Sequence, residues 1–183
     1  MTFYVLAYPV LQGAAGARIE AFRRRHEPAR AALVAAHVTL VFGVDGIDGT
    51  ALADHAAACA AASAPIDLQL DRMQDFADPG GDGFKLFLMV GQGREQLAAL
   101  HLALYGGALA ARHRADLPFE PHVTIASCTD RQARDRARGE CAILTLPLAG
   151  RIDAIEVASL ERDSLRRIAL VPLGGHAGFS PAI

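Results

Sequence analysis

The amino-acid sequence predicts a mixed fold of strands and helices, built as two similar halves. The run His-Val-Thr followed by an aliphatic residue occurs twice, as HVTLVFG from His37 and as HVTIAS from His122. The predicted order of strand, helix and strand that leads up to His37 begins again after the loop ADPGGDG and leads up to His122. Similar order at similar spacing indicates an internal duplication.

Turn and helix signals divide the first half into five elements. Aromatic and β-branched residues predict an opening strand that ends near Pro9, and Pro28 ends the helix that follows. Thr50 is a suitable N-cap for an alanine-rich helix. From Ile66 onward, aliphatic residues alternate with polar ones, which is typical of a strand with one buried face. The expected order is strand 3–10, helix 17–27, strand 36–44, helix 50–63 and strand 66–76.

The second half is expected to repeat this order and then to add two strands. Leu97, Leu100 and Leu104 recur at helical spacing, and Thr129 is a candidate N-cap for a short charged helix. The expected elements are strand 83–90, helix 95–111, strand 120–127, helix 129–138 and strands 150–161 and 165–173. The chain is thus predicted to form one bilobal domain over 1–183, with pseudo-repeats at about 1–76 and 84–173 and a tail at 174–183.

Composition restricts the class of function. Of the 183 residues, 52% are hydrophobic, and the formal net charge of -2 argues against a protein that coats long nucleic acid. Any contact with nucleic acid should be local, at an end or over a few nucleotides. Cys59, Cys128 and Cys141 are scattered without CxxC spacing, which favours free thiols. The sequence has neither a signal-peptide pattern nor an apolar run of membrane-spanning length, so we expect a cytoplasmic protein with no membrane partner. We also expect it to be a monomer.

The repeated motif places an imidazole and a hydroxyl on one face of each strand. Side chains alternate along a strand, so His37 shares a face with Thr39, and His122 shares a face with Thr124. If the two halves face each other, both polar faces line one cleft. Two imidazoles across a cleft suit in-line displacement at phosphorus, because one can act as base and the other as acid near neutral pH. The threonine hydroxyls can donate to the non-bridging oxygens.

No metal or other cofactor is expected for this chemistry, because the histidines can manage the protons. The sequence has no HExxH run and no carboxylate cluster with evident ligand spacing. Two rival functions remain open at this point. One is a module that binds a nucleotide or an RNA end without catalysis. The other is a metal hydrolase that uses His37, His122 and His113.

Two H-[VIT]-[TS]-aliphatic strands in one chain of this size resemble the two-histidine (2H) phosphoesterase superfamily, which includes the RNA 2′,3′-cyclic phosphodiesterases often called 2′-5′ RNA ligases. The resemblance runs from FYVLAYPV through HVTLVFG to LPFEPHVTIAS. It implies an α+β fold of two pseudo-symmetric lobes, with antiparallel sheets lining a central cleft and helices outside. It also implies the catalytic set His37, Thr39, His122 and Thr124.

The same resemblance implies hydrolysis of a 2′,3′-cyclic phosphate on an RNA end or a nucleotide, with 2′-5′ ligation as a minor activity. By analogy, the N-terminal histidine protonates the leaving oxygen and the C-terminal one activates water, although the residues alone leave these roles exchangeable. One position departs from the pattern. Many RNA-acting members have a basic residue where this chain has Ser127, which leaves a nucleotide or another small cyclic phosphodiester open as substrate.

Several further side chains are candidates for binding substrate. Phe42 is expected on the face opposite His37 by strict alternation, so core packing competes with stacking on a base. Arg131 opens the basic run RQARDRAR directly after the second motif strand. The predicted substrate-binding candidates are Tyr4, Tyr8, Phe42, His113, Arg114 and Arg131.

Overall fold

The computed structural model describes residues 1–77 and 83–174, so only the first residue of the predicted tail is included. The strands are β1 (Thr2–Ala7), β2 (Val10–Leu11), β3 (Val38–Val44), β4 (Ile66–Ala77), β5 (Phe84–Val90), β6 (His122–Cys128), β7 (Leu148–Ile152), β8 (Ala154–Glu161) and β9 (Ser164–Pro172). The α-helices are α1 (Ala15–His26), α2 (Pro28–Leu33), α3 (Gly49–Ala61), α4 (Arg94–Leu104) and α5 (Arg131–Glu140). Short 3-10 helices cover Gly107–Arg112 and Cys141–Leu144.

The strands form two antiparallel sheets. The first sheet has the order β3-β1-β8-β9, and the second has the order β2-β7-β4-β5-β6. Strands β3 and β6, which carry the two motifs, are edge strands, and they approach each other within 8 Å between Cα atoms. The predicted α+β class, with antiparallel sheets lining a central cleft and helices outside, is confirmed.

Both sheets draw strands from both halves of the sequence. Strand β4 pairs in the second sheet, whereas β8 and β9 extend the first sheet beside β1. Two segments that were expected to be single strands are therefore divided. The segment 3–10 breaks at Tyr8 and Pro9 between β1 and β2, and the segment 150–161 breaks at Asp153 between β7 and β8. At each break the chain crosses from one sheet to the other. The sequence repeat at 1–76 and 84–173 stays a prediction.

Helices from one half pack on the motif strand of the other half. Helix α1 contacts β6, and α4 contacts β3, while α3 covers β8 and β9. The aliphatic positions of the motif strands face this packing, since Val38, Leu40, Val123 and Ile125 are at most 1% exposed. Each motif strand therefore buries its apolar residues under a helix and leaves its polar face to the cleft. None of the described helices is both long and apolar enough to cross a lipid bilayer.

The helix caps differ from the expected residues by one or two positions. The side chain of Asp48 accepts from the amide of Ala51 at 2.9 Å and caps α3 in place of Thr50. Asp130 accepts from the amide of Ala133 at 2.8 Å and caps α5 in place of Thr129. Aspartate competes well with threonine for this role, because its carboxylate accepts from the first free amides of the helix. Helix α4 ends at Leu104, earlier than the predicted 111.

Candidate active site

The two motif histidines are oriented by the same backbone contact. Nδ1 of His37 lies 2.8 Å from the carbonyl oxygen of Ala35, and Nδ1 of His122 lies 2.6 Å from that of Glu120. A carbonyl can only accept, so Nδ1 carries the hydrogen in both rings. In the neutral imidazole this leaves a lone pair on Nε2, which is the nitrogen that can accept or deliver a proton in the cleft.

Burial shifts the pKa of both motif histidines in the same direction. The pKa of His37 is lowered, first by burial and further by the positive charges of Arg23, Arg30 and His122. The pKa of His122 is also lowered by burial, although the carbonyl of Glu120 opposes this shift by favouring the charged ring. Both shifts favour neutral imidazoles at neutral pH. In the free protein, the form with one protonated and one neutral ring is therefore populated in moderately acidic solution.

A β-bulge follows the threonine in the first motif strand. Thr39 pairs with Leu6 of β1, but Val41 pairs with Val5, so Leu40 is an extra residue in β3. The bulge reverses the alternation beyond it. Val41 points into the core, and Phe42 joins Thr39 on the cleft side with 49% of its surface exposed. The expectation that Phe42 lies opposite the motif face was wrong, because strict alternation does not hold across a bulge.

The second motif strand carries a bulge at the matching position. Thr124 pairs with Phe87 of β5 and Ala126 pairs with Leu86, so Ile125 is the extra residue in β6. Ser127 consequently returns to the face of His122 and Thr124. The fifth residue after each motif histidine thus points to the cleft in both strands, with Phe42 in one and Ser127 in the other. Among the described residues, the hydroxyls of Thr39 and Thr124 make no side-chain hydrogen bond.

A cavity of about 500 Å³ opens at the end of the cleft where His122 and Phe42 meet. Aromatic rings form much of its wall: His101 stacks on Phe119 at 3.9 Å between centroids, and Tyr105 and His113 pack against them. The predicted candidates Phe42, His113 and Arg114 all line this cavity, so the fold brings them together with His122. Arg114 forms an exposed ion pair with Asp116 at the rim.

Helix α4 fixes the bulged segment of β3 beside this cavity. Nδ1 of His101 donates to the carbonyl of Leu40 at 2.7 Å, and the amide of Phe42 donates to the Tyr105 hydroxyl at 3.1 Å. His101 lies in the last turn of α4, and Tyr105 follows four residues later as its C-cap. They satisfy backbone groups of the bulged segment, and their rings form a wall of the cavity.

The two tyrosine candidates lie at different places along the cleft, and Tyr8 is the one beside His37. The ring of Tyr8 is 6.0 Å from that of His37 in an edge-on arrangement, and its hydroxyl donates to Glu156 at 3.3 Å. Burial and the Glu156 carboxylate raise the pKa of Tyr8, which keeps the phenol neutral. Tyr4 lies further along β1, with its hydroxyl close to Gly43. Arg131 is exposed at the start of α5 and does not line the cavity.

Two cleft residues, Glu156 and Phe87, were missed from the sequence. Glu156 is 5% exposed and accepts from Nε of Arg167 at 2.6 Å as well as from Tyr8. A carboxylate inside the apolar run AIEVASL was a signal that could have drawn attention to this position. Phe87 stacks on His122 with centroids 3.8 Å apart. Only the strand register reveals that contact, because Phe87 lies on β5 and is distant from the motif in sequence.

The other end of the cleft contains a network of buried charges. Arg23 is 1% exposed, and its Nε donates to Glu27 at 2.6 Å while its guanidinium also reaches Glu20. Glu27 in turn accepts from the hydroxyl of Ser127 at 3.3 Å, and Glu20 accepts from the amide of Ala36 at 2.6 Å. This network ties α1 to the residue before His37. The network lies at the end of the cleft that includes Ser127, the position where many RNA-acting two-histidine phosphoesterases have a basic side chain.

Residues 1–77 and 83–174 contain no group of three or more histidine, cysteine, aspartate or glutamate side chains arranged to hold a metal ion. His113, the third member of the rival metal hypothesis, packs against the rings of His101 and Tyr105 in the cavity wall. The three cysteines are free thiols.

The sheets, the facing edge strands and the matched imidazoles define a two-histidine phosphoesterase fold. The model of the 2′-5′ RNA ligase superfamily matches residues 11–164, and the chain belongs to this family. A search of curated proteins gave no match.

Solved structures of similar fold cover nearly the whole chain. Escherichia coli LigT in complex with 3′-AMP is 21% identical, with a TM-score of 0.59 over 94% of this chain and 97% of that one. TT0787 of Thermus thermophilus is 16% identical, with a TM-score of 0.60 over 97% and 100%. Usb1 of Kluyveromyces marxianus is 10% identical, with a TM-score of 0.58 over 94% and 98%. At these identities the likeness concerns the fold.

Proposed function

We propose that this protein is a metal-independent phosphodiesterase that opens the 2′,3′-cyclic phosphate of an RNA end or a nucleotide. The observation that carries the proposal is that the two motif imidazoles are oriented in the same way. On facing edge strands, His37 and His122 each donate through Nδ1 to a carbonyl two residues earlier and leave Nε2 for the cleft. Membership of the 2′-5′ RNA ligase superfamily supports phosphoesterase chemistry in general.

The proposed step is an in-line displacement. A bond forms from a water oxygen to phosphorus as the bond from phosphorus to one ribose oxygen breaks. One neutral imidazole takes the proton of the water on Nε2, and the other, protonated, gives its Nε2 proton to the departing ribose oxygen. Thr39 and Thr124 donate to the non-bridging oxygens, on which charge collects in the transition state. Either histidine can fill either role in this scheme.

The cavity at the His122 end supports a nucleoside as the bearer of the phosphate. Its wall of Phe42, Tyr105 and Phe119 offers ring faces and edges to a planar base. Stacking on aromatic side chains is the usual way in which proteins hold unpaired bases. The opposite end of the cleft contains the buried charges of Arg23 and its carboxylate partners in place of such a wall of rings. In E. coli LigT a fold of this kind binds 3′-AMP, a nucleotide with a 3′-phosphate.

Alanine at either motif histidine tests the proposal. We expect His37→Ala and His122→Ala each to lower kcat on 2′,3′-cyclic AMP by about 10²- to 10⁴-fold, because each removes one proton-transfer group. The product is followed by phosphorus NMR, and circular dichroism shows whether the fold is kept. His26→Gln is the matched control, since His26 lies on α1 and contacts Glu140 outside the cleft.

Three outcomes would overturn this function. Near-wild-type rates in either alanine variant on every cyclic phosphate tested would contradict the paired-histidine scheme. Tight binding of 3′-nucleotides by the wild-type protein, with no turnover of cyclic mononucleotides or of a short RNA with a cyclic end, would favour the non-catalytic binding module. A rate that collapses with EDTA and returns with one divalent metal would favour a metal hydrolase.

A further inference from the structure

Two phenylalanine rings, the half-buried Phe87 and the exposed Phe76, continue the stacking from His122 across the second sheet. The Phe87 ring stacks on that of His122, with centroids 3.8 Å apart and planes inclined by 22°. The Phe76 ring lies 5.0 Å from that of Phe87 on its other side, and 37% of Phe76 is exposed. We refer to Phe76 and Phe87 together as the aromatic ledge. The ledge leads away from the motif histidine over the open face of β5 and β4.

The strand register places the ledge on the cleft side of the sheet. Phe87 pairs with Thr124 and so shares its face, while the neighbouring residues Leu86 and Leu88 point into the core with no exposed surface. Phe76 is a diagonal neighbour of Phe87, because Gln74 stands opposite Phe87 and Phe76 opposite Lys85. A large apolar ring on the solvent side of a sheet lacks the burial that normally stabilises it. Phe76 packs on the ring of Phe87 and still leaves 37% of its surface accessible on this side.

The ledge and the aromatic cavity extend from His122 in different directions. The cavity lies between β6, β3 and α4, whereas the ledge crosses from β6 to β4. A phosphate held between the motif histidines thus has aromatic surface on two sides. A cyclic mononucleotide has one base and can use only one of them. The 3′ end of an RNA strand has a terminal base and a penultimate base, and unpaired neighbours can separate onto two platforms.

We propose that the aromatic ledge binds the penultimate base of a single-stranded RNA end, while the terminal base with the cyclic phosphate occupies the cavity. This inference rests on the proposed function for the position of the phosphate. The substrate class is then an unpaired RNA 3′ end of two or more nucleotides, in preference to a free cyclic nucleotide. Stacking on Phe76 supplies part of the affinity for the RNA strand, in a chain that has Ser127 where related RNA-acting proteins place a basic residue.

The test compares 2′,3′-cyclic AMP with the dinucleotide ApA that ends in a 2′,3′-cyclic phosphate, and with the same dinucleotide lacking its 5′ base. Stacking of one base is worth about 1–3 kcal/mol, so we expect kcat/KM to be about tenfold or more higher for the dinucleotide than for the mononucleotide. The abasic dinucleotide should lose this advantage. Phe76→Ala should reduce the dinucleotide-to-mononucleotide ratio to about one, and Phe76→Tyr should restore it.

Leu102→Ala is the control, because Leu102 is an exposed apolar residue of α4 with 60% of its surface accessible, away from the ledge. This variant should keep the wild-type ratio. A wild-type ratio near one, or a ratio that Phe76→Ala leaves unchanged, overturns the ledge while the phosphodiesterase function stands.

Calorimetric binding of ApA 3′-phosphate and of 3′-AMP separates the two proposals when turnover is absent. A dinucleotide advantage that depends on Phe76 supports the ledge even if the catalytic proposal has failed. Equal binding of both ligands, or no binding of either, overturns the ledge.

Discussion

At the residue scale, the chemistry of the site depends on which nitrogen of each imidazole is free. The carbonyls of Ala35 and Glu120 hold Nδ1 of His37 and His122, so that Nε2 is left for the substrate in both rings. The doubled His-Val-Thr run allowed the residue types and their common strand face to be predicted. The orienting partners could not be read from the sequence, because they are backbone groups and depend on how the chain enters each strand.

The lowered pKa values of the two histidines predict an acidic optimum for the free enzyme. One ring must be protonated to act as the acid, and that proton is lost as the pH rises through the ring's folded pKa. Burial lowers the pKa of both His37 and His122. The alkaline limb of the bell-shaped kcat/KM profile should therefore lie below about pH 6.5, the ordinary value for histidine.

The corresponding profile of kcat should differ from that of kcat/KM. A bound phosphodiester anion favours the imidazolium form, so we expect the alkaline limb of kcat to move to higher pH. Initial rates on 2′,3′-cyclic AMP between pH 4.5 and 9 give both profiles. A kcat/KM that is flat over this range, or that has only one limb, would be inconsistent with acid and base roles for two histidines.

At the scale of single elements, a bulge in each motif strand decides which residues reach the cleft. Alternation correctly placed Thr39 with His37, but it failed for Phe42 two residues beyond the bulge at Leu40. The extra residue is stabilised by tertiary contacts, since His101 of α4 and Tyr105 at the C-terminal end of that helix bind the backbone of Leu40 and Phe42. The alternation of residues within one strand carries no information about a helix from the other half of the chain that packs against it.

Removing one of these contacts should loosen the bulged segment. We expect Tyr105→Phe to speed amide hydrogen exchange at Phe42 by about tenfold, because a hydrogen bond of this kind contributes about 1 kcal/mol and a buried orphan amide costs more. Exchange is measured residue by residue by NMR. Tyr4→Phe is the control, as its hydroxyl lies against Gly43 of the same strand. Equal exchange at Phe42 in wild type and Tyr105→Phe would show that the hydroxyl does not support the bulge.

The strand boundaries show a similar limit to sequence reasoning. The residue composition correctly indicated extended chain over 3–10 and 150–161, but not that each segment serves two sheets. Pro9 gave a hint of the first break, since proline has no amide to donate to a ladder. The second break at Asp153 follows from where β7 and β8 find partners, β4 in one sheet and β1 in the other.

At the scale of the whole molecule, the cleft is built because elements of each half of the chain pack on elements of the other half. Helix α1 packs on β6, α4 packs on β3, and the C-terminal strands β8 and β9 complete the first sheet. The repeated motif was enough to predict two lobes around one cleft. It could not predict that the two ends of the cleft differ, with an aromatic cavity beside His122 and a buried ion network beside His37. That difference depends on Phe42, Ser127 and the helix residues that meet them.

The central claim is that the imidazoles of His37 and His122 act on one phosphorus atom. Titration of inorganic phosphate into the wild-type protein, followed by long-range proton–nitrogen NMR of the imidazole rings, tests it most directly. We predict that Nε2 of both rings shifts with a single shared dissociation constant, while His55 of α3 does not respond. A response from only one of the two rings, or two unrelated dissociation constants, would contradict the account.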